Sequence, residues 1–104
     1  MSPALAIKLI PSSESEVSVG DFSLERNGRK ALVQFSVAGQ DVAEAWVESS
    51  RDQLDWSRVS RIQRKQPFAF TLGVEKLPPG SYLRGAANDS LGNLGHSEAT
   101  AIPY

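Results

Sequence analysis

The chain has 104 residues, 12 acidic and 11 basic, with a net charge of −1 and 40% apolar residues. That suits one domain with one modest core; it is too apolar for compositional disorder and too balanced in charge to gather nucleic acid or an anionic membrane surface. With no cysteine, thiol catalysis, thiolate zinc sites and a disulfide framework are excluded, and no apolar run approaches the ~20 residues that span a bilayer.

In chain order, Met1-Ser2 reads as an expression start, and no charged segment followed by an apolar one marks a signal peptide. Strands are expected where apolar residues alternate between turn residues. Ala4–Ile10 places Leu5, Ile7 and Leu9 on one face and ends at Pro11-Ser12-Ser13. Ser15–Ser23 alternates imperfectly through Val17, Val19 and Phe22, with Gly20-Asp21 interrupting. Asn27-Gly28 signals a tight turn. Lys30–Val37 is the clearest strand, with Ala31, Val33, Phe35 and Val37 on one face. Val42–Ser49 and Trp56–Gln63 flank the polar loop 50-SRDQLD-55, although Asp41–Leu54 also admits a helix with Asp41 and Glu44 in a capping box. Phe68, Phe70 and Leu72 form another alternating face; Tyr82–Ala87 and Ala99–Ile102 complete the series. Seven or eight short strands at this spacing predict a sandwich or barrel. The expected core is Ile7, Leu9, Val33, Phe35, Val37, Trp46, Phe68, Phe70, Leu72, Leu77, Tyr82 and Ile102.

The stretch 77-LPPGSYLRGAANDSLGN-93 is the most informative. Its prolines fix φ and cannot extend a ladder, and Gly80 permits a backbone angle that other residues avoid. Leu77 can plug the core. Tyr82 then starts a strand, where its hydroxyl would bond backbone a few residues upstream and lock the crossover between sheets. The residues Leu77, Gly80, Tyr82, Asp89, Gly92 and Asn93 resemble the end of bacterial immunoglobulin-like and fibronectin type III-like modules. The segment 47-VESSRDQLDW-56 is similar to the hairpin of such modules. The resemblance covers about a third of the chain. One departure is the position of Arg84, where those modules place an inward apolar residue.

Several constellations bear on chemistry. The one histidine, His96, has Asp89 and Ser97 nearby in sequence, but no nucleophile-elbow signature accompanies them. Asn88, Asp89, Ser90 and Asn93 offer oxygens to calcium; with one carboxylate among them, the expected role is to cap their own turn, with Gly92 left-handed. Asn88-Asp89-Ser90 is also a glycosylation sequon in form. Arg58, Arg61, Arg64 and Lys65 form a basic stripe, which fits protection of an edge strand better than a phosphate site. Trp46 is expected in the core if it shares a face with Val42. Trp56 divides between a half-buried hairpin position and an exposed platform for sugar.

These readings converge on an all-β, immunoglobulin-like two-sheet sandwich of seven to eight antiparallel strands with Greek-key connections, residues 1–104 forming one domain of a larger protein. The expected function is a non-catalytic accessory, spacer or interaction domain of an exported or cell-surface bacterial protein, lying outside the cell, on its surface or in the periplasm. The alternatives are a carbohydrate- or protein-binding module and the appended domain of a secreted enzyme. Trp56, Arg58 and Arg61 are the expected binding residues; Leu77, Gly80, Tyr82 and Trp46 are expected to be structural. No catalytic residue, metal site or cofactor is expected. The expected partners are neighbouring domains of the parent chain, a protein or a glycan, with no nucleic acid and no membrane insertion.

Overall fold

In the computed structural model, residues 17–39 and 41–103 are described; the expected strand at 4–10, with Ile7 and Leu9, lies outside them. Eight strands occur among these residues: β1 (Ser18–Asn27), β2 (Lys30–Ala38), β3 (Val42–Ser50), β4 (Ser57–Arg58), β5 (Phe68–Gly73), β6 (Tyr82–Asp89), β7 (Leu94–His96) and β8 (Thr100–Ala101). A 3₁₀ turn at Val74–Lys76 follows β5. The strands make two antiparallel sheets, a smaller one ordered β1-β2-β5 and a larger one ordered β4-β3-β6-β7, with β8 also paired to β6. Residues 42–50 are strand, so the helical alternative for 41–54 is not realised.

The core follows from alternation. Ala31, Val33, Phe35 and Val37 of β2 are buried, and their neighbours between β2 and solvent are not. Phe68, Phe70 and Leu72 do the same on β5, and the facing sheet contributes Ala45, Val47, Leu83 and Ala87. Phe35 sits at the centre, its ring 5.6 Å from Phe70, 5.9 Å from Phe68 and 6.3 Å from Phe22. Gly85 of β6 gives that ring its space, since a Cβ there would lie 2.6 Å from a Phe35 ring carbon. Small residues across from large ones let two sheets interlock without voids.

Two bulges reset the alternation. In β1 the register slips between Gly20 and Ser23, with Asp21 at φ 52°, so Val17 and Val19 and then Phe22 and Leu24 all reach the core. In β3 the register slips between Val42 and Glu44. An extra residue there reverses the facing of everything after it. Val42 therefore packs on the core, and Ala45 and Val47 point inward. Trp46 does not share Val42's face: it is half-buried on the outer surface, which corrects its expected core position. The hairpin turn is also displaced by one residue. Asn27 pairs with Lys30, and Gly28 (φ 65°) with Arg29 forms the two-residue loop.

The corner at 77–82 is built differently from expectation. Gly80 adopts φ 81° and Leu77 packs against the core. Ser81 is the locked residue. It is 1% exposed, its hydroxyl donates to the Pro78 carbonyl at 2.6 Å, and its own carbonyl accepts from the Ile102 amide at 3.1 Å. Tyr82 is half-buried, and its hydroxyl has no hydrogen-bond partner among the described residues. The inward positions of β6 are Leu83, Gly85 and Ala87. Tyr82 and Arg84 consequently share the outer face, which explains an arginine at a position where an inward residue was expected.

Two edges are held by side chains. The Gln63 amide donates to the Ala69 carbonyl (2.7 Å) and accepts from the Ala69 amide (3.3 Å), while its backbone bridges Ala45 of the other sheet. Ser97 donates its amide to the Gly85 carbonyl, and its hydroxyl accepts from the Gly85 amide at 2.9 Å. The last edge is thereby divided into β7 and β8, and His96 lies on β7.

Candidate functional site

The outer face of the larger sheet gathers most of the unusual chemistry. Cross-strand register sets it in rows. Arg58 of β4 lies opposite Glu48 of β3, which lies opposite Arg84 of β6. In the adjacent row Trp46 lies opposite Ala86, and Ala86 opposite His96. In the third, Glu44 lies opposite Asn88, and Asn88 opposite Leu94. Because side chains alternate along a strand, residues two apart on β3 and β6 share one surface.

Glu48 organises the centre. One carboxylate oxygen accepts from Arg84 Nε and faces Arg84 Nη2, both at 2.8 Å, and the other accepts from Trp46 Nε1 at 2.9 Å. The two side chains of this ion pair are 18% and 17% exposed. Its charge-assisted bonds are accordingly less screened than those of a fully exposed pair. Two guanidinium groups of this face also meet indoles. The Arg84 guanidinium lies 4.1 Å from the Trp56 ring centroid, and the Arg58 guanidinium 5.6 Å from that of Trp46. Both distances fall within cation–π range. Beside this array, Ala86 and Gly95 lie in a depression of about 60 Å³ that is also lined by Trp46, Glu48, Arg84, Leu94 and His96. Leu94 is 70% exposed at its rim.

Trp56 and Arg58 thus belong to one surface array, as two of the three expected binding residues. Arg61 is exposed and has no ion-pair or ring contact among the described residues. Arg64 pairs with Glu44 at 3.2 Å. Sequence reasoning missed Trp46, Glu48 and Arg84 as members. The signal was present in Glu44, Trp46 and Glu48, a polar–aromatic alternation that a core face would not carry, but Val42 masked it because the bulge was not legible.

The polar loops serve the fold. Asp89 is buried, and its carboxylate accepts from the Leu91 and Asn93 amides and from Asn93 Nδ2, each at 2.9 Å. The Asn93 side chain, and after it the turn amides, holds its pKa below the ordinary value. Gly92, at φ 92°, closes the turn. These oxygens cap their own turn. A short contact joins the Ser90 hydroxyl to Asp41. The Ser97 hydroxyl is engaged by the Gly85 amide and the Glu98 carbonyl, and His96 Nδ1 lies 3.2 Å from the Ser97 carbonyl. In the 51–55 loop the Asp55 amide, then the Leu54 amide and the Ser50 hydroxyl, lower Asp52 to a pKa of about 2.

No protein-family model matches the chain, and no curated protein matches it. Solved structures do. The chain is similar to part of pectate lyase Pel3 from Pectobacterium carotovorum in two crystal structures. One gives a TM-score of 0.64 at 11% identity and the other 0.66 at 12%, each match covering 86% of this chain and 27% of the enzyme chain. It is also similar to part of pectate lyase PelI from Erwinia chrysanthemi in complex with tetragalacturonic acid, with a TM-score of 0.63 at 11% identity, covering 84% of this chain and 28% of that one. Identity this low speaks for the fold alone. The chain spans about a quarter of the length of these enzymes.

Proposed function

We propose that this chain is a non-catalytic module of the immunoglobulin-like or fibronectin type III-like kind, appended to a larger exported or cell-surface protein. On this reading it meets its partners through the outer face of the larger sheet. The observation that carries the proposal is how the reactive side chains are used. Ser97, the hydroxyl nearest His96 in sequence, bonds the Gly85 amide and the Glu98 carbonyl, and Asp89 bonds its own turn. A triad needs its hydroxyl free to attack and its carboxylate directed at the imidazole. By contrast, indole and guanidinium groups are concentrated on one accessible face, as interaction surfaces commonly have them.

The strand orders β1-β2-β5 and β4-β3-β6-β7 support the proposed module class, since each sheet exchanges strands with the other along the chain. The likeness to about a quarter of each pectate lyase chain supports the appended role, with the chemistry residing elsewhere in such a parent. The testing experiment incubates the chain with polygalacturonate, with and without calcium, and with a panel of simple esters and glycosides. The expected result is no unsaturated uronide, no new reducing ends and no ester cleavage. Turnover that disappears in His96→Ala would overturn the proposal.

A further inference from the structure

We infer that the outer face of the larger sheet binds an anionic polysaccharide, with Arg58 the residue that grips a sugar carboxylate; this rests on the interaction-module reading above. The first observation is the segregation of charge. The whole chain carries a net −1, yet residues 57–66 contain Arg58, Arg61, Arg64 and Lys65 and no carboxylate. They run beside the outer face of β3, to which β4 is paired.

The second observation separates the two arginines that lie beside indoles. A guanidinium over an indole uses its flat face, leaving its N–H donors in the plane of the group. Arg84 commits one edge, its Nε and Nη2, to Glu48. Arg58 lies farther from its indole, 5.6 Å from the Trp46 centroid, and has no carboxylate partner among the described residues. It is an exposed cation beside an indole, with its bidentate edge unused. A guanidinium with that edge open matches the geometry of a planar carboxylate.

The third is the shape of the surface. From β7 to β4 the face is four strands wide, about 14 Å at sheet spacing. The Ala86 depression, bordered by Trp46 and His96, lies at one side and Arg58 at the other. A short run of pyranose rings covers that width. One ring would settle over Ala86 against indole, and a neighbouring carboxylate would reach Arg58. A peptide gains less here, because the backbone of β3 and β6 is already paired on both sides and leaves no ladder to extend.

The test is affinity electrophoresis and titration calorimetry of the full chain with two polyuronates, alginate and polygalacturonate. Neutral galactan and poly-glutamate serve as controls, and each mixture is also assayed for chain cleavage. Retardation by a polyuronate is expected, weakening as salt rises, with none by galactan. Arg58→Gln, an exposed change, should lower affinity by about tenfold or more while leaving the unfolding midpoint unchanged, as loss of one charge-assisted contact does. Trp46→Phe should lower it less. Absence of polyuronate binding would overturn the inference and leave the non-catalytic reading standing. Equal binding to poly-glutamate would overturn it too, assigning the face to acidic protein. Cleavage of the polymer would instead overturn the non-catalytic reading itself.

Discussion

At the scale of single residues, two glycines are fixed by what lies against them. A Cβ on Gly95 would sit 2.0 Å from the Val17 carbonyl oxygen, a backbone atom that cannot rotate away. A Cβ on Gly85 would meet the Phe35 ring, which is itself packed by three other phenylalanines. Overpacking of this kind costs about 1–3 kcal/mol or more. Gly95→Ala and Gly85→Ala should both lower the denaturant midpoint, whereas Gly20→Ala, with nothing within 4 Å, should not do so through a clash. Equal stability of Gly95→Ala and the parent chain would contradict the close approach.

Asp52 gives the residue scale its pH dependence. Its pKa falls from 3.8 to about 2 in the folded chain because the Asp55 and Leu54 amides and the Ser50 hydroxyl favour the carboxylate. A depressed acid contributes stability that is fully present above its unfolded pKa and lost as pH falls through the folded one. The contribution should therefore fade between 3.8 and about 2. Acid unfolding of Asp52→Asn should show a shallower loss across that interval. An identical pH profile would remove Asp52 from the account.

At the scale of elements, the outer strands are joined by side chains as much as by ladders. Glu48 satisfies Arg84 and the Trp46 indole together, so Glu48→Ala leaves two donors with a lost partner. The expected cost is about 1–3 kcal/mol, more than a surface pair, with Glu48→Gln costing less. A double-mutant cycle with Arg84→Ala measures the coupling. At the other edge, Gln63 occupies both backbone groups of Ala69 on β5. Gln63→Ala should expose that edge and raise the tendency to associate at high concentration, visible by light scattering. Monodisperse behaviour of the variant would show that the edge needs no such cover.

The same scale shows what could be read in advance. The clear strand at 30–37 and the Phe68-Phe70-Leu72 face emerged from strict alternation, and both occur with the expected residues inward. The expected strand at 56–63 shortened to Ser57–Arg58, because the Ser60 hydroxyl takes the Val47 amide in place of a ladder bond. The strand β7 was missed, being three residues long with glycine at its centre. Trp46 was placed wrongly because one inserted residue in β3 inverts the facing of the rest.

At the scale of the whole molecule, one core joins both sheets, so the described residues should unfold as a unit. Phe35→Ala removes the ring at its centre and should cost about 3–5 kcal/mol, with near- and far-ultraviolet dichroism lost together. Separate transitions for the two probes would indicate that the sheets are not one cooperative structure. The all-β class, the alternating inner faces, the turn at Gly92 and the corner at Gly80 were legible along the chain, because they depend on local periodicity and on backbone angles few residues adopt. Which way Trp46, Tyr82 and Arg84 face, and hence that indoles and guanidiniums meet on one surface, emerges once the strands are paired. Facing depends on register, register depends on bulges and cross-strand pairing, and those are settled between segments distant in the chain.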